Sequence, residues 1–143
     1  MSDITQRKVT LERESEGVYI ATNAAGVKLR FGPNADDGFG PVELLLAAVA
    51  GCSGMDVDVM TGRRAEATKF EVTSEADYVK NDEGNVLRNI TVTFDLEFPE
   101  GEDGDKARAR IAPAMKSAHE KTCTVSRTLE AGGEVTLRDA NAS

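Results

Sequence analysis

Three features of the chain predict an α+β fold in the order β-β-β-α-β-β-α-β. Short β-rich runs cluster in the first third, a long apolar stretch follows Pro41, and a strand pair with period-two alternation separates it from a second helical stretch. Strands and helices segregate along the chain instead of alternating one by one, which is the α+β pattern. The 143 residues are read as a single domain spanning 1–143, since domains commonly hold roughly 100–150 residues. A chain of this length buries a core without staples.

The first strands are Val9–Glu12, Val18–Thr22 and Val27–Phe31, divided by turn material at Glu16-Gly17 and Asn23–Gly26. They predict a meander. A loop rich in Gly, Pro, Asn and Asp covers Gly32–Gly40. Pro41 suits the first position of a helix, where its missing N–H costs nothing. Glu43 falls in that first turn, where a negative charge complements the dipole. The helix continues to Met60 and is apolar on nearly every side from Val42 to Met55, so a long buried central helix is expected. Gly51 and Gly54 flank Cys52 in its middle, which predicts close packing or a bend there.

Phe70, Val72, Ser74, Ala76 and Tyr78 alternate with polar residues, and so do Ile90, Val92, Phe94, Leu96 and Phe98. With the turn Asn81–Asn85 between them, they predict a half-buried hairpin. Acidic residues over Pro99–Asp105 lead into a second helix, Lys106 to about Lys121, with Pro113 as a kink. Cys123 follows it. A short helical turn over Thr124–Leu129, a break at Gly132-Gly133 and a closing strand at Glu134–Arg138 complete the order.

Apolar residues make up 40% of the chain and charged residues 29%, with no Trp, so aliphatic side chains must fill the core. The net charge of −8 argues against partners with phosphate backbones or anionic lipid surfaces. No nucleic acid and no membrane are expected as partners. The N-terminal segment is polar, and the longest apolar run, Val42–Cys52, falls well short of the ~20 residues of a membrane span. A cytoplasmic protein is expected. Thiols there are kept reduced, so Cys52 and Cys123 do not read as a permanent staple.

From spacing alone the two cysteines stay open between small buried hydrophobes, metal ligands and a redox pair. One histidine and no CxxC pair fall short of a four-ligand zinc site, so no metal is expected. His119 lies one helical turn before Cys123, as a partner for its thiol or as an exposed helix-end histidine. A thiol acts as a nucleophile only when ionised, and an apolar helix opposes that. A cation must therefore reach Cys52, with a carboxylate to hold it. Arg13, Arg30 and Arg127 are the candidates for the cation, and Glu43 for the carboxylate. No GxGxxG, P-loop or GxSxG elbow is present, and no cofactor is expected.

Two stretches carry a resemblance. Gly40–Met55, GPVELLLAAVAGCSGM, resembles the central-helix motif of the OsmC/Ohr superfamily, and Ala118–Leu129, AHEKTCTVSRTL, resembles its second-cysteine motif. Together with the order of elements, the likeness covers about residues 7–138. It implies a thiol peroxidase acting on organic hydroperoxides, and less well on hydrogen peroxide. It also implies an intertwined homodimer. On that resemblance Cys52 matches the peroxidatic cysteine and Cys123 the resolving one, and a dithiol of lipoyl or thioredoxin type reduces the disulfide. Val42 stands where the Ohr branch carries its acidic residue, with Glu43 one step on. Arg13 and Arg30 lie in the region of the family arginine, and Thr124 replaces a proline that often follows the second cysteine. These departures point to an OsmC-like branch. A small-apolar-ligand binding protein on the same scaffold is the alternative.

Overall fold

The computed structural model describes residues 2–142. It is an α+β structure whose chain gathers into two compact units, one ending at Leu45 and the other starting at Leu46.

In the first unit, β1 (Val9–Ser15), β2 (Val18–Asn23) and β3 (Lys28–Phe31) form the expected antiparallel meander in the order β1-β2-β3. Tyr19 lies directly across from Phe31, with ring centroids 5.9 Å apart. Helix α1 then runs from Pro41 to Gly62, 22 residues that pass from the first unit into the second. Its start is built as the sequence predicts. The Gly40 carbonyl accepts from the Leu44 N–H at 3.0 Å, and the Glu43 carboxylate reaches back to accept from the Gly40 N–H at 2.8 Å. Glu43 thus forms half of a capping box.

The second unit holds the hairpin of β4 (Lys69–Asn81) and β5 (Gly84–Glu97). The turn is tighter than expected, with Asn81 already opposite Gly84. β5 carries a bulge, in which Asn89 and Ile90 lie opposite Ala76 alone. Asn89 adopts φ 56°, a left-handed conformation that asparagine tolerates, and donates to Asp77 at 2.8 Å. The bulge changes the phase of the alternation. Val79 takes the half-buried side, and Tyr78, expected to face inward with Phe70 and Val72, is turned to solvent.

Helix α2 spans Glu102–Ser117, so Glu102, Asp103 and Asp105 lie inside its first turn instead of ahead of it. It continues through Pro113. A π-helical turn, Ala118–Thr122, follows it, and then α3, Thr124–Ala131. Gly132 ends α3 in the left-handed conformation, φ 66°. The core of this unit is built from small aliphatics, as a chain without Trp requires. Val49, Val57, Ala107, Ala114 and Ala118 are buried.

Two expectations are corrected. The closing strand at residues 134–138 is not a strand; the segment is irregular, with Val135 86% and Leu137 92% exposed. β-propensity without a partner edge does not make a strand. Helix α1 is also not covered all round. Val49, Gly54, Val57 and Thr61 are buried, while Val42, Met55 and Val59 stay exposed. An all-round apolar helix needs more cover than one copy of this small unit provides. By length and a mean hydropathy of 1.5, α1 passes as a membrane span. One side of it is packed, with β4 against Gly54 and Thr122 donating to Asp56.

Candidate functional site

Cys52 lies midway along α1 and is half-buried. The glycines beside it differ. A Cβ at Gly54 would meet Val72 and Phe70 at 3.6 and 3.8 Å, so β4 crosses the helix there, while Gly51 has nothing within 4 Å. The close packing predicted from the two glycines exists on one side of Cys52 only.

Cys123 is fully buried at the N-cap of α3. The π-helical turn delivers it there: its N–H donates to the Ala118 carbonyl at 2.8 Å, a bond that spans five residues instead of four. The turn is tied to α1. The Thr122 hydroxyl donates to Asp56 at 2.7 Å, and Asp56 stands one turn along the helix from Cys52. Ser53 of α1 places its Oγ 3.3 Å from Cys123 Sγ, and Ser126 places its Oγ 3.1 Å from the same sulfur. Both cysteines are free thiols, and they are neighbours.

Burial pushes the Cys123 thiol up. The hydroxyl of Ser126, the hydroxyl of Ser53, the Ser126 backbone and the Cys52 thiol all act the other way, and Cys123 ends below the ordinary thiol value. The cause is hydrogen bonding to sulfur, not a cation.

A cavity of about 320 Å³ opens beside this cluster. Val49, Ile90, Val92, Phe94, Met115 and Leu129 give it apolar walls, and Ser53, Ser126, His119 and Glu130 supply its polar groups. His119 Nε2 stands 3.6 Å from a Glu130 carboxylate oxygen, and both side chains are exposed.

Of the other predicted site residues, Arg30 and Glu43 have partners of their own. Arg30, on β3, is held by Glu14 at 3.0 Å and Asp37 at 2.7 Å. Glu14 above all raises its pKa. The carboxylates that hold this arginine are thus Glu14 and Asp37, while Glu43 is spent on the cap of α1. Arg13 lies on β1 opposite Tyr19 and is exposed. Arg127 is exposed on α3. Among the described residues, no cluster of three or more His, Cys, Asp or Glu side chains could hold a metal ion.

Sequence reading missed Ser53, Ser126, Asp56 and Thr122. Cys123 and Ser126 do carry a signal, because their spacing is that of an N-cap and its third helical residue. Nothing in the sequence marks Ser53 as a partner for the distant cysteine instead of its neighbour Cys52.

The same fold occurs in solved structures from several bacteria. A hypothetical protein from Aquifex aeolicus is 23% identical, with 90% of this chain and 89% of that chain covered, at a TM-score of 0.69. An OsmC-like protein from Mycoplasma pneumoniae is 18% identical, with 88% of each chain covered, at a TM-score of 0.64. The organic hydroperoxide resistance protein OhrB of Bacillus subtilis is 24% identical, with 87% of this chain and 90% of that chain covered, at a TM-score of 0.51. In sequence, uncharacterised proteins of Mycobacterium tuberculosis and Mycobacterium bovis are 34% identical over 131 residues, covering 89% of this chain and 91% of theirs. The family model described as OsmC-like protein matches residues 33–138, a span that takes in both cysteine motifs. With its α+β order, its paired cysteine motifs and these relatives, the chain belongs to the OsmC-like protein family.

Proposed function

We propose that this protein is a cytoplasmic two-cysteine peroxidase that reduces organic hydroperoxides. The observation that carries the reading is the pairing of a half-buried thiol, Cys52, with a buried neighbouring thiol, Cys123, whose ionised form is favoured. The reachable sulfur meets the substrate, and the buried one closes the disulfide. Cys52 thiolate attacks the terminal peroxide oxygen, the O–O bond breaks, and the alcohol leaves with a proton. Cys52 is then a sulfenic acid. Cys123 thiolate attacks that sulfur; the S–S bond forms, the S–O bond breaks, and hydroxide leaves to take up a proton. A dithiol of lipoyl or thioredoxin type returns both thiols by exchange and is itself oxidised to a disulfide.

The apolar cavity beside Ser53 supports an organic hydroperoxide over hydrogen peroxide, because its walls reward burial of an alkyl or aryl group. The exposed apolar residues of α1, among them Met55 and Val59, support a homodimer in which a second copy covers that helix. Arg30, Glu43 and Arg13 are assigned no step.

Steady-state turnover of cumene hydroperoxide with a dithiol tests the reading. Wild type turns over, and Cys52→Ser does not. Equal rates in the two proteins overturn it. The cavity also favours a second reading, a binding protein for small apolar ligands. Stoichiometric binding of an apolar probe by a protein with no turnover identifies that case.

A further inference from the structure

Cys123 is the better-organised thiol of the two. Its sulfur is fully buried, yet it has a hydroxyl on each of two sides: Ser53 Oγ at 3.3 Å from α1 and Ser126 Oγ at 3.1 Å from α3. The backbone of Cys123 is held by the π-helical turn, which is pinned to α1 through Thr122 and Asp56. A serine hydroxyl hydrogen turns about its C–O bond to suit its partner. With a neutral thiol, Ser126 can accept from sulfur. With a thiolate, both hydroxyls can turn and donate to it. Hydrogen bonds to a charged acceptor are about twice as strong as neutral ones, so this pair of serines favours the ionised sulfur. Cys123 also occupies the N-cap of α3, where the helix dipole favours negative charge.

We propose that Ser53 and Ser126 are positioning residues that hold Cys123 as a thiolate from two sides, so that it both attacks oxidised Cys52 and departs again when the disulfide is reduced. The chemistry rests on the peroxidase reading above; the geometry does not. In the closing step, Cys123 thiolate supplies the electron pair for the S–S bond, and the hydroxyl of the Cys52 sulfenic acid leaves and is protonated to water. In the opening step, the thiolate of the external dithiol attacks Cys52 Sγ, the more accessible sulfur. The S–S bond breaks, and its electron pair goes to Cys123, where the two hydroxyls receive the charge. A second exchange within the mixed disulfide frees Cys52 and leaves the dithiol oxidised. Low thiol pKa speeds departure, and it raises the ionised fraction at neutral pH while lowering intrinsic nucleophilicity only partly.

The test has two arms. In full-length protein carrying Cys52→Ala, the ultraviolet thiolate absorbance of Cys123 is titrated in the parent and in Ser53→Ala, Ser126→Ala and Ser126→Thr. Each alanine variant moves the midpoint to higher pH, and threonine restores it. In protein with both cysteines, the rate of disulfide closure after one equivalent of tert-butyl hydroperoxide is measured across pH. At neutral pH Ser126→Ala slows closure about three- to tenfold. That deficit disappears at high pH, where Cys123 is ionised in both proteins. An unmoved midpoint overturns the proposal, and so does slowing of equal size at every pH, which marks a merely structural role. If the midpoints move while the wild type consumes no hydroperoxide, the clamp stands and the peroxidase reading falls. If turnover is present and the midpoints do not move, the clamp falls and the peroxidase reading stands.

Discussion

Cys52 rides in the middle of a regular helix, half-buried, with open space beside Gly51 on one side and β4 beside Gly54 on the other. Cys123 sits where a π-helical turn meets α3, fully buried, with a serine hydroxyl on each of two sides. One thiol is half-buried. The other is sealed off, with hydroxyl partners at its sulfur. Among the described residues no arginine hydrogen-bonds to either sulfur, and the difference teaches that hydroxyls rather than cations surround the buried thiol. On the proposed reading, hydroxyls and a helix N-terminus favour the buried thiolate, and exposure is reserved for the sulfur that meets the substrate.

The largest effect expected from breaking this comparison is kinetic. Cys52→Ser removes the attacking atom, and turnover with an organic hydroperoxide falls by at least about 10³-fold, as losing a nucleophile does elsewhere. Cys123→Ser leaves the attack intact. One equivalent of hydroperoxide is consumed rapidly, and then Cys52 climbs to the sulfinic acid because nothing closes on it. Mass spectrometry separates the two outcomes: an unmodified protein in the first case and a gain of two oxygens in the second. The same loss of turnover in both variants, without overoxidation, would erase the distinction between attacking and resolving sulfurs.

Next in size is stability. Cys123→Ala opens a small void and strips a partner from Ser53 and Ser126, at a cost of about 1–3 kcal/mol. Cys52→Ala, at a half-buried position, stays within about 1 kcal/mol. Thermal denaturation of the two variants measures the gap. Cys123 adds a pH signature. Its pKa is lowered on folding, so the folded state binds fewer protons than the unfolded state between the folded value and the unfolded thiol value near 8.5. Its contribution is fully present above about pH 8.5 and is lost as pH falls through the folded value. The Tm difference between wild type and Cys123→Ser therefore grows as pH rises through this window and levels off beyond it. A flat difference would remove the thiolate from Cys123.

Much of the fold was legible because local chemistry and tertiary structure agree. Pro41 and Glu43 mark the start of α1, period-two alternation marks the hairpin, and Gly132 marks the end of α3. The phase of Tyr78 was not legible. A bulge paired with a left-handed Asn89 moves a whole stretch of side chains to the other face, and no residue in β4 announces it. The segment at 134–138 has strand composition without an edge to pair with, and pairing is a property of the fold rather than of the segment. The motifs singled out the two cysteines that the structure makes neighbours. The atoms around them were not legible: a cation was expected at Cys52, whereas the groups placed on a sulfur are two serines at Cys123, one supplied by the neighbouring turn of α1 and one by the third residue of α3. Small neutral donors leave almost no trace in a sequence, whereas an arginine with its carboxylate draws the eye. Arg30 with Glu14 and Asp37 is such a group.

The smallest effect concerns the two faces of α1 around Cys52. Gly51 faces open space, so alanine there adds helix propensity at no steric cost, and Gly51→Ala raises stability by about 0.5–1 kcal/mol. Gly54→Ala gains at least as much, because its Cβ meets Val72 and Phe70 at ordinary van der Waals distance, 3.6 and 3.8 Å. Chemical denaturation resolves a difference of that order. Leucine sharpens the contrast. At position 54 it overpacks against β4 and costs about 1–3 kcal/mol. At position 51 it leaves the fold of the single chain intact. If a second copy covers this face, as the exposed Met55 and Val59 suggest for the proposed dimer, Gly51→Leu pushes the copies apart, and sedimentation finds a folded monomer. A dimer unchanged by Gly51→Leu would move the interface elsewhere. Cys52 would then sit beside an open face in the assembled protein, reachable by a bulky dithiol reductant from that side.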